Sequence, residues 1–340
     1  MQENKEKNKT TGAENVRWDL SSLYSGIDDP QIDADVKTLS VMAADFRTSY
    51  KGALPQSLGN AIAGYLDLTM LESKIGLYLF LKQSTDVTDS IVKKKVAEVE
   101  RMMNEINGEY LTFFDLELVE LKDEELAIWY EKNALVKKHR PWIEYVRIFK
   151  PHNLSEPVES ALTKRAAFSE GAWNEFFDEV EADLSFEFRN EKKTLTEMTH
   201  LLSESKDATE RAEALSVISN GLKGAFVKYS AQNLYMVTGS LAVEVKERKY
   251  ENPMSARNKS NRVSDAVVEA LHTAVLKTAG PLTKRYYRLK AAHLGQKILR
   301  WSDRNAPMPF SDDTLIPFDE AEKIVIAAYE SFSPTLAAIV

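Results

Sequence analysis

From Trp18 to the end of the chain, apolar residues recur three and four positions apart with few interruptions, a spacing that selects α-helix over strand. The clearest stretch is 88–107, where Val92, Val96, Val99, Met103 and Ile106 draw one stripe and Lys93, Lys94, Glu98 and Glu105 occupy the remaining surface. A coiled coil shares this spacing, but two or three heptads do not require one, and a core-facing helix of an antiparallel bundle is the preferred reading. Glycine is scarce in support of this: 13 of 340 residues, about 4%, against an average near 7%. With 11 prolines, the chain has few breaks, as long helices joined by short loops need, and an all-β fold is disfavoured. The expected fold is mainly α, a multi-helical lobe of antiparallel helices.

Punctuation places further helices. Asp123, Glu124 and Glu125 open a segment holding Leu126 and Trp129, since acids are favourable beside the positive end of a helix. Ser155 reads as an N-cap ahead of Glu156 and Pro157. Thr209 to Lys223 presents Ala212, Leu215, Ile218 and Leu222 at helical spacing, and from Phe318 onward Ala321, Ile324, Val325, Ala328 and Tyr329 form a second strong stripe. One place resists. Leu184 to Phe188 alternates, Arg189-Asn190-Glu191 can turn, and Lys193-Thr194-Leu195 can return, so a small β-hairpin is expected near 184–195. Trp301 to Pro317 carries three prolines and reads as a loop whose Trp301, Met308 and Phe310 need packing partners. The expected organisation is a disordered tail over 1–15, a helical domain over 16–183, a second helical segment over 184–332 and the start of a further helix at 333–340. No fixed-period repeat is present.

A net charge of −8 repels phosphate backbones, so general nucleic-acid binding is not expected. The chain has no cysteine, which removes disulfides, thiolate metal sites and thiol nucleophiles and suits a reducing cytoplasm. Residues 1–15 lack the apolar core of a signal peptide, and no run of about eighteen apolar residues offers a membrane span.

Catalytic constellations are absent from the pattern. There is no phosphate-binding glycine loop, no dinucleotide fingerprint and no nucleophile elbow. A helical zinc site needs two histidines four apart, and His139, His152, His200, His272 and His293 contain no such pair. His139, ahead of Arg140-Pro141, reads as a helix cap, and His272 lies on a stripe with Leu271 and Val275. The acids Glu175, Asp178, Glu179 and Glu181 cluster, as do Asp303, Asp312 and Asp313, but both groups read as solvated carboxylates rather than acid–base or cation sites. Tyr286-Tyr287 among Lys284, Arg285, Arg288 and Lys290 forms a basic aromatic patch, in which helical spacing turns Tyr286 and Leu289 to the core and the charges outward. No catalytic, metal or substrate-binding residue is assigned.

The chemically idle segments carry a resemblance. Trp18-Asp19-Leu20-Ser21-Ser22-Leu23-Tyr24 resembles the opening signature of the oligoendopeptidase F family of zinc metallopeptidases. So do Lys138-His139-Arg140-Pro141 with Lys150-Pro151-His152-Asn153-Leu154-Ser155, then Arg285 to Lys290, then Trp301-Ser302-Asp303-Arg304-Asn305-Ala306-Pro307, where many members have a second aromatic at the position of Ser302. Each motif alone is weak, but the four occur in order from about residue 16 to the end. The resemblance implies a helical N-terminal lobe leading into a catalytic lobe, with a groove between them that admits unstructured peptides. In the family, a His-Glu-x-x-His helix and a downstream glutamate hold zinc, which activates water and polarises the scissile carbonyl. None of those residues occurs here, so the resemblance carries over the scaffold and no catalytic or metal position.

Ser333-Pro334 reads as the opening of a helix that has run only one apolar turn by Val340. The expectation is therefore the N-terminal part of a cytoplasmic zinc-dependent oligoendopeptidase acting on short peptides, cut before its zinc helix. Alone it would bind no zinc, hydrolyse nothing, and expose an apolar patch where the missing lobe docks. The rival expectation is a non-catalytic helical interaction module that has kept the scaffold.

Overall fold

The computed structural model describes residues 12–310 and 316–339. The chain is mainly α-helical with one small β-hairpin. It divides into two compact units, one spanning 21–307 and one made of the two chain ends, 1–20 with 308–340.

The larger unit begins with α1 (Pro30–Tyr50), capped by the Asp29 carboxylate, which accepts from the Gln31 amide at 2.9 Å. A three-residue turn with Gly52 at φ +76° sends the chain back as α2 (Leu54–Thr85). α3 (Ser90–Ile106) follows the 88–107 stripe: Val92, Val99 and Ile106 are buried, one heptad apart, and Asp89 caps its first amides. α3 then widens into a π-helical turn, Asn107–Leu111, before α4 (Thr112–Glu120). Three shorter helices complete the layer: α5 (Asp123–Lys132), α6 (Ala134–Lys138) and α7 (Arg140–Arg147). α5 starts at its acidic triplet, as its composition predicts. Ile32, Leu39, Leu58, Ile75, Phe113 and Ile143 lie fully buried in this core. Phe46, Tyr65, Phe114 and Trp142 form an aromatic spine, the Tyr65 and Phe114 centroids 4.6 Å apart. A buried carboxylate helps to lock it: Asp35 accepts from Tyr24 Oη, Gln31 Nε2 and Lys74 Nζ at 2.6–2.9 Å.

α8 (Glu156–Thr163) opens after Ser155 with Pro157 in its first turn, although the Ser155 hydroxyl makes no cap bond. α9 (Glu170–Ala182) precedes the hairpin, β1 (Phe186–Phe188) and β2 (Glu191–Lys193), paired antiparallel. The hairpin is shorter than the alternation suggests. Arg189 and Asn190 both take left-handed backbone (φ 51° and 68°), making a two-residue turn, and Leu195 already belongs to α10 (Leu195–Glu204), capped by Thr194 in a capping box with Glu197. Phe186 and Phe188 point the same way, as a period of two requires, and meet Met198 of α10 with Ala214 and Ile218 of α11 (Ala208–Gly221) in a second core.

Two expected faces turned out differently. On α11 the buried positions are Arg211, Ala214 and Ile218, while Ala212 is exposed and Leu215 and Leu222 only half-buried. The helix is rotated to bring Arg211 inward, where its guanidinium pairs with Asp303. α12 (Ala225–Glu247), α13 (Ser255–Ser260) and α14 (Asp265–His293) follow. On α14, Tyr286 and Leu289 are about half exposed, and Lys290 is buried in their place because it too faces the Arg211–Asp303 pair. Trp301 and Phe310 of the proline-rich segment are largely exposed rather than packed, and Ser302 and Asp303 are the residues that turn inward, in a 3-10 turn.

In the smaller unit, α15 (Phe318–Phe332) forms over the predicted stripe, and Ser333 caps α16 (Pro334–Ala337). The stripe is uncovered: Ile324, Val325 and Tyr329 are all exposed. Of the expected disordered tail, 1–11 lies outside the described residues, as do Asp312 and Asp313.

Candidate functional site

The histidines do not converge. His139 bonds through Nδ1 to the Leu135 carbonyl at 2.9 Å, closing α6, the capping role its sequence position suggests. His152 is buried, donates Nδ1–H to the Arg248 carbonyl at 2.8 Å and stacks on Tyr250 with centroids 4.0 Å apart. His200 and His272 sit on exposed faces of α10 and α14, and His293 ends α14. Among the described residues no group of three or more His, Asp or Glu side chains is arranged to hold a metal ion. These residues therefore do not fit a zinc centre, and no catalytic step is assigned to them.

The acidic cluster on α9 is likewise dispersed. Glu179 pairs with Lys93 of α3, and Glu175 lies near Glu100, whose carboxyl is pushed up by burial and by that like charge. Asp303, expected to be a solvated loop carboxylate, is fully buried. Arg211 Nε and Nη2 approach its Oδ1 at 2.8 and 2.7 Å, and Arg211 Nη1 also donates to the Ser205 carbonyl. Gln296 adds a further bond, and these partners hold the carboxyl below its ordinary range despite the opposing effect of burial. Its role is to tie the 3-10 turn to α11. Of the basic aromatic patch, Lys284, Tyr287 and Arg288 line a cavity of about 490 Å³ with Lys297, Arg300 and Trp301, whose ring carries Arg304 at 4.4 Å.

Two features had no residues assigned to them in the sequence. The first is the apolar surface of α12 and α14. Leu234, Tyr235 and Val243 of α12 are 54–71% exposed, and Leu271, Leu276 and Leu282 of α14 are 60–77% exposed. Their helices bury only Asn233 in one case and Lys290 with Ala291 in the other. The expected exposed patch thus has definite members, and its signal in the sequence was apolar residues on every face of these helices. The second feature is a cavity of about 420 Å³ in the larger unit, bordered by α2, the π-helical turn, α4, the 149–153 loop, α8 and the end of α12. Asp115 of α4 lines it with no hydrogen-bond or ion-pair partner among the described residues; its side chain is exposed, yet desolvation by the protein around it pushes its carboxyl up to about 6. Beside it, Glu72 accepts from Asn107 Nδ2 at 2.6 Å, while Asn107 Oδ1 is buried with no partner among the described residues. Across the space Arg248 makes a two-bond pair with Glu159, at 2.7 and 2.9 Å, and a second ion pair with Glu244. An acid flanked in sequence by Phe114 and Leu116 was the available clue to Asp115.

No curated protein matches the chain by sequence. The family model described as Oligopeptidase F matches residues 117–186, the stretch from α4 into the hairpin. Among solved structures, oligoendopeptidase-F from Enterococcus faecium superposes with a TM-score of 0.73 at 21% identity, covering 89% of this chain and 62% of that one. A protein from Chlamydophila abortus described as a peptidase superposes with a TM-score of 0.63 at 16% identity, covering 95% of this chain and 54% of that one. The chain spans 62% and 54% of the lengths of these two proteins, and what it shares with them is the fold. The chain is thus similar to the Oligopeptidase F family over residues 117–186 and shares the helical fold of oligoendopeptidase-F over most of its length.

Proposed function

We propose that this chain forms the helical, non-catalytic portion of a zinc-dependent oligoendopeptidase that hydrolyses short peptides in the cytoplasm, with the zinc helix and general base supplied by polypeptide outside these 340 residues. The observation that carries this reading is the shared fold with oligoendopeptidase-F together with the absence of a histidine pair four apart in the sequence. The uncovered apolar faces of α12 and α14 support it, since contiguous exposed apolar surface marks an interaction site. On this reading those faces meet the catalytic polypeptide, and the helical portion forms a wall that admits extended peptides and excludes folded proteins.

Two measurements test it. The 340-residue chain is incubated with an internally quenched fluorogenic peptide, with and without a zinc chelator. No turnover is expected, and chelator-sensitive hydrolysis by the chain alone would overturn the proposal. The DNA beyond the codon for Val340 is then read: an in-frame His-Glu-x-x-His is expected, and its absence from the continuing frame would instead favour a non-catalytic interaction module.

A further inference from the structure

We propose that the cavity formed by the end of α14 and the 297–304 segment is a binding site for a small multivalent oxyanion with an apolar or aromatic body, the chemistry shared by acidic peptides and organic phosphates. Lys284, Arg288 and Lys297, with Arg304, are its charge partners, and Tyr287 and Trp301 its aromatic surface. Nothing in this site depends on the peptidase reading.

Charge is the first observation. Over 284–304 the chain carries seven Lys and Arg against one acid, Asp303, a net of +6 within a molecule of net −8. In a chain with more acids than bases, carboxylates would ordinarily lie among such cations. The single one here turns inward, where Arg211 and Gln296 take it up. Arg300 reaches it only at 3.5 Å, and Lys284, Arg288, Lys297 and Arg304 make no hydrogen bond or ion pair among the described residues. The negative end of α14 accounts for Lys290 and His293 in its last turn, but not for the cations of the segment that follows. A concavity lined by one sign of charge focuses its field and concentrates counter-ions of the other sign. The second observation is the shape and lining of the space. Its volume of about 490 Å³ falls within the range of small-molecule pockets. Of the apolar residues lining it, Ala291 is buried and Tyr287 half-buried, whereas Ile298 and Trp301 are exposed. The Trp301 ring carries the Arg304 guanidinium at 4.4 Å, a stacking that leaves the N–H donors of Arg304 unused. The third observation is rigidity. Gly295, at φ +66°, closes α14, and Gln296 donates to Asp303 while accepting from the Arg300 amide at 3.1 Å. Trp301 therefore stands in a 3-10 turn that the buried Asp303 fastens to α11, with Arg300 and Arg304 on either side. Charged groups mounted on a fixed frame lose less freedom when a ligand binds.

Ammonium and guanidinium groups hold carboxylate and phosphate oxygens through charge-assisted hydrogen bonds, the guanidinium in two-bond pairs. Four unpaired cations suit a ligand with two or more such groups, and the Tyr287 and Trp301 rings suit an apolar body between them. A long polyanion is disfavoured, because beyond the cavity it would meet a molecule of net −8.

The site is tested by isothermal titration calorimetry on the full chain with acetyl-Glu-Glu-Phe, phenyl phosphate and the neutral acetyl-Gln-Gln-Phe amide. One-to-one binding of the acidic peptide, of phenyl phosphate or of both is expected; which of them binds identifies the source of the oxyanion. The neutral peptide should bind about tenfold more weakly or not at all. Arg288→Gln combined with Lys297→Gln is expected to weaken binding about tenfold or more at an unchanged melting temperature, since both side chains are exposed and unpaired, while Lys132→Gln on α5 leaves binding unchanged. Added salt should weaken binding by the parent more than by the double variant. Equal binding of the neutral peptide, no binding of either anion, full binding by the double variant, or tighter binding of a single-stranded oligonucleotide than of both small anions would each overturn the proposal.

Discussion

A carboxyl that the surrounding protein holds back from ionising, with no cation beside it, destabilises the fold once it is charged, and Asp115, although solvent-exposed, is such a group. Its value of about 6 in the folded chain lies above the ordinary 3.8. Between about pH 4 and 6 the folded state therefore keeps a proton that the unfolded chain has released. Stability attributed to Asp115 is complete below pH 4 and falls as pH rises through 6. The groups around its cavity are Tyr65 and Glu72 on α2, His152, Glu159, and the Arg248–Glu244 pair, none of which supplies it with a cation. Asp115→Asn is thus expected to match the parent near pH 4 and exceed it near pH 7, measured as melting temperature across that range; a constant difference between the two proteins would contradict this. The Arg211–Asp303 pair has the opposite character. Both side chains are essentially inaccessible, 3% and 0% exposed, and both are fully bonded. Removing one partner strands a buried charge, so Asp303→Asn or Arg211→Met is expected to cost about 3–5 kcal/mol by chemical denaturation, with the double variant recovering part of that loss. Neither residue was legible beforehand. Asp303 read as solvated because it sits among prolines and other acids, and nothing in the local pattern singles out Arg211. Their pairing spans 92 positions and leaves no mark in local pattern.

Elements were easier to read than their orientations. The stripe of α3, the acidic start of α5 and the Ser333-Pro334 opening of α16 are set by local spacing and capping, and each forms where the sequence places it. The hairpin follows from alternation and turn residues, but its length does not, because Thr194 and Glu197 claim the following residues for a capping box. Rotation of a helix depends on tertiary partners, which is why α11 and the end of α14 present other faces than periodicity suggests. The π-helical turn has no sequence signature comparable to a cap. A sharp test of the second core lies at Gly221, where an added methyl would come within 2.6–2.7 Å of the Phe186 ring. Gly221→Ala is expected to destabilise by about 1–3 kcal/mol in urea unfolding, since a packed ring must move to admit it. Gly76→Ala on α2, where an added methyl meets nothing within 4 Å, is the matched control and is expected to be neutral or slightly stabilising.

At the scale of the molecule, composition and periodicity were enough to establish a helical protein, and four ordered motifs pointed to a relationship that the fold then supports. A peptide-binding surface was not legible, because residues that contact a substrate need not share any periodicity. No helix among the described residues is long and apolar enough to cross a membrane. The exposed apolar faces of α12 and α14 offer surface for association. The isolated chain is accordingly expected to associate with itself as concentration rises, seen as a growing weight-average mass in analytical ultracentrifugation. Leu234→Glu and Leu276→Glu, at positions 64% and 77% exposed, should restore a monomer without lowering the melting temperature. α14 itself is 29 residues, about 43 Å at the usual rise, yet it buries side chains only at Lys290 and Ala291. Its other end is tied through Asp265, which accepts from Asn258 at 2.7 Å. Gly280-Pro281 stands next to its midpoint, and the proline leaves the Lys277 carbonyl without its helical donor. Mechanically, α14 is a beam supported at both ends and notched at the centre: a load laid across its apolar face would be taken up as flexure at one joint, leaving the two anchored ends in place.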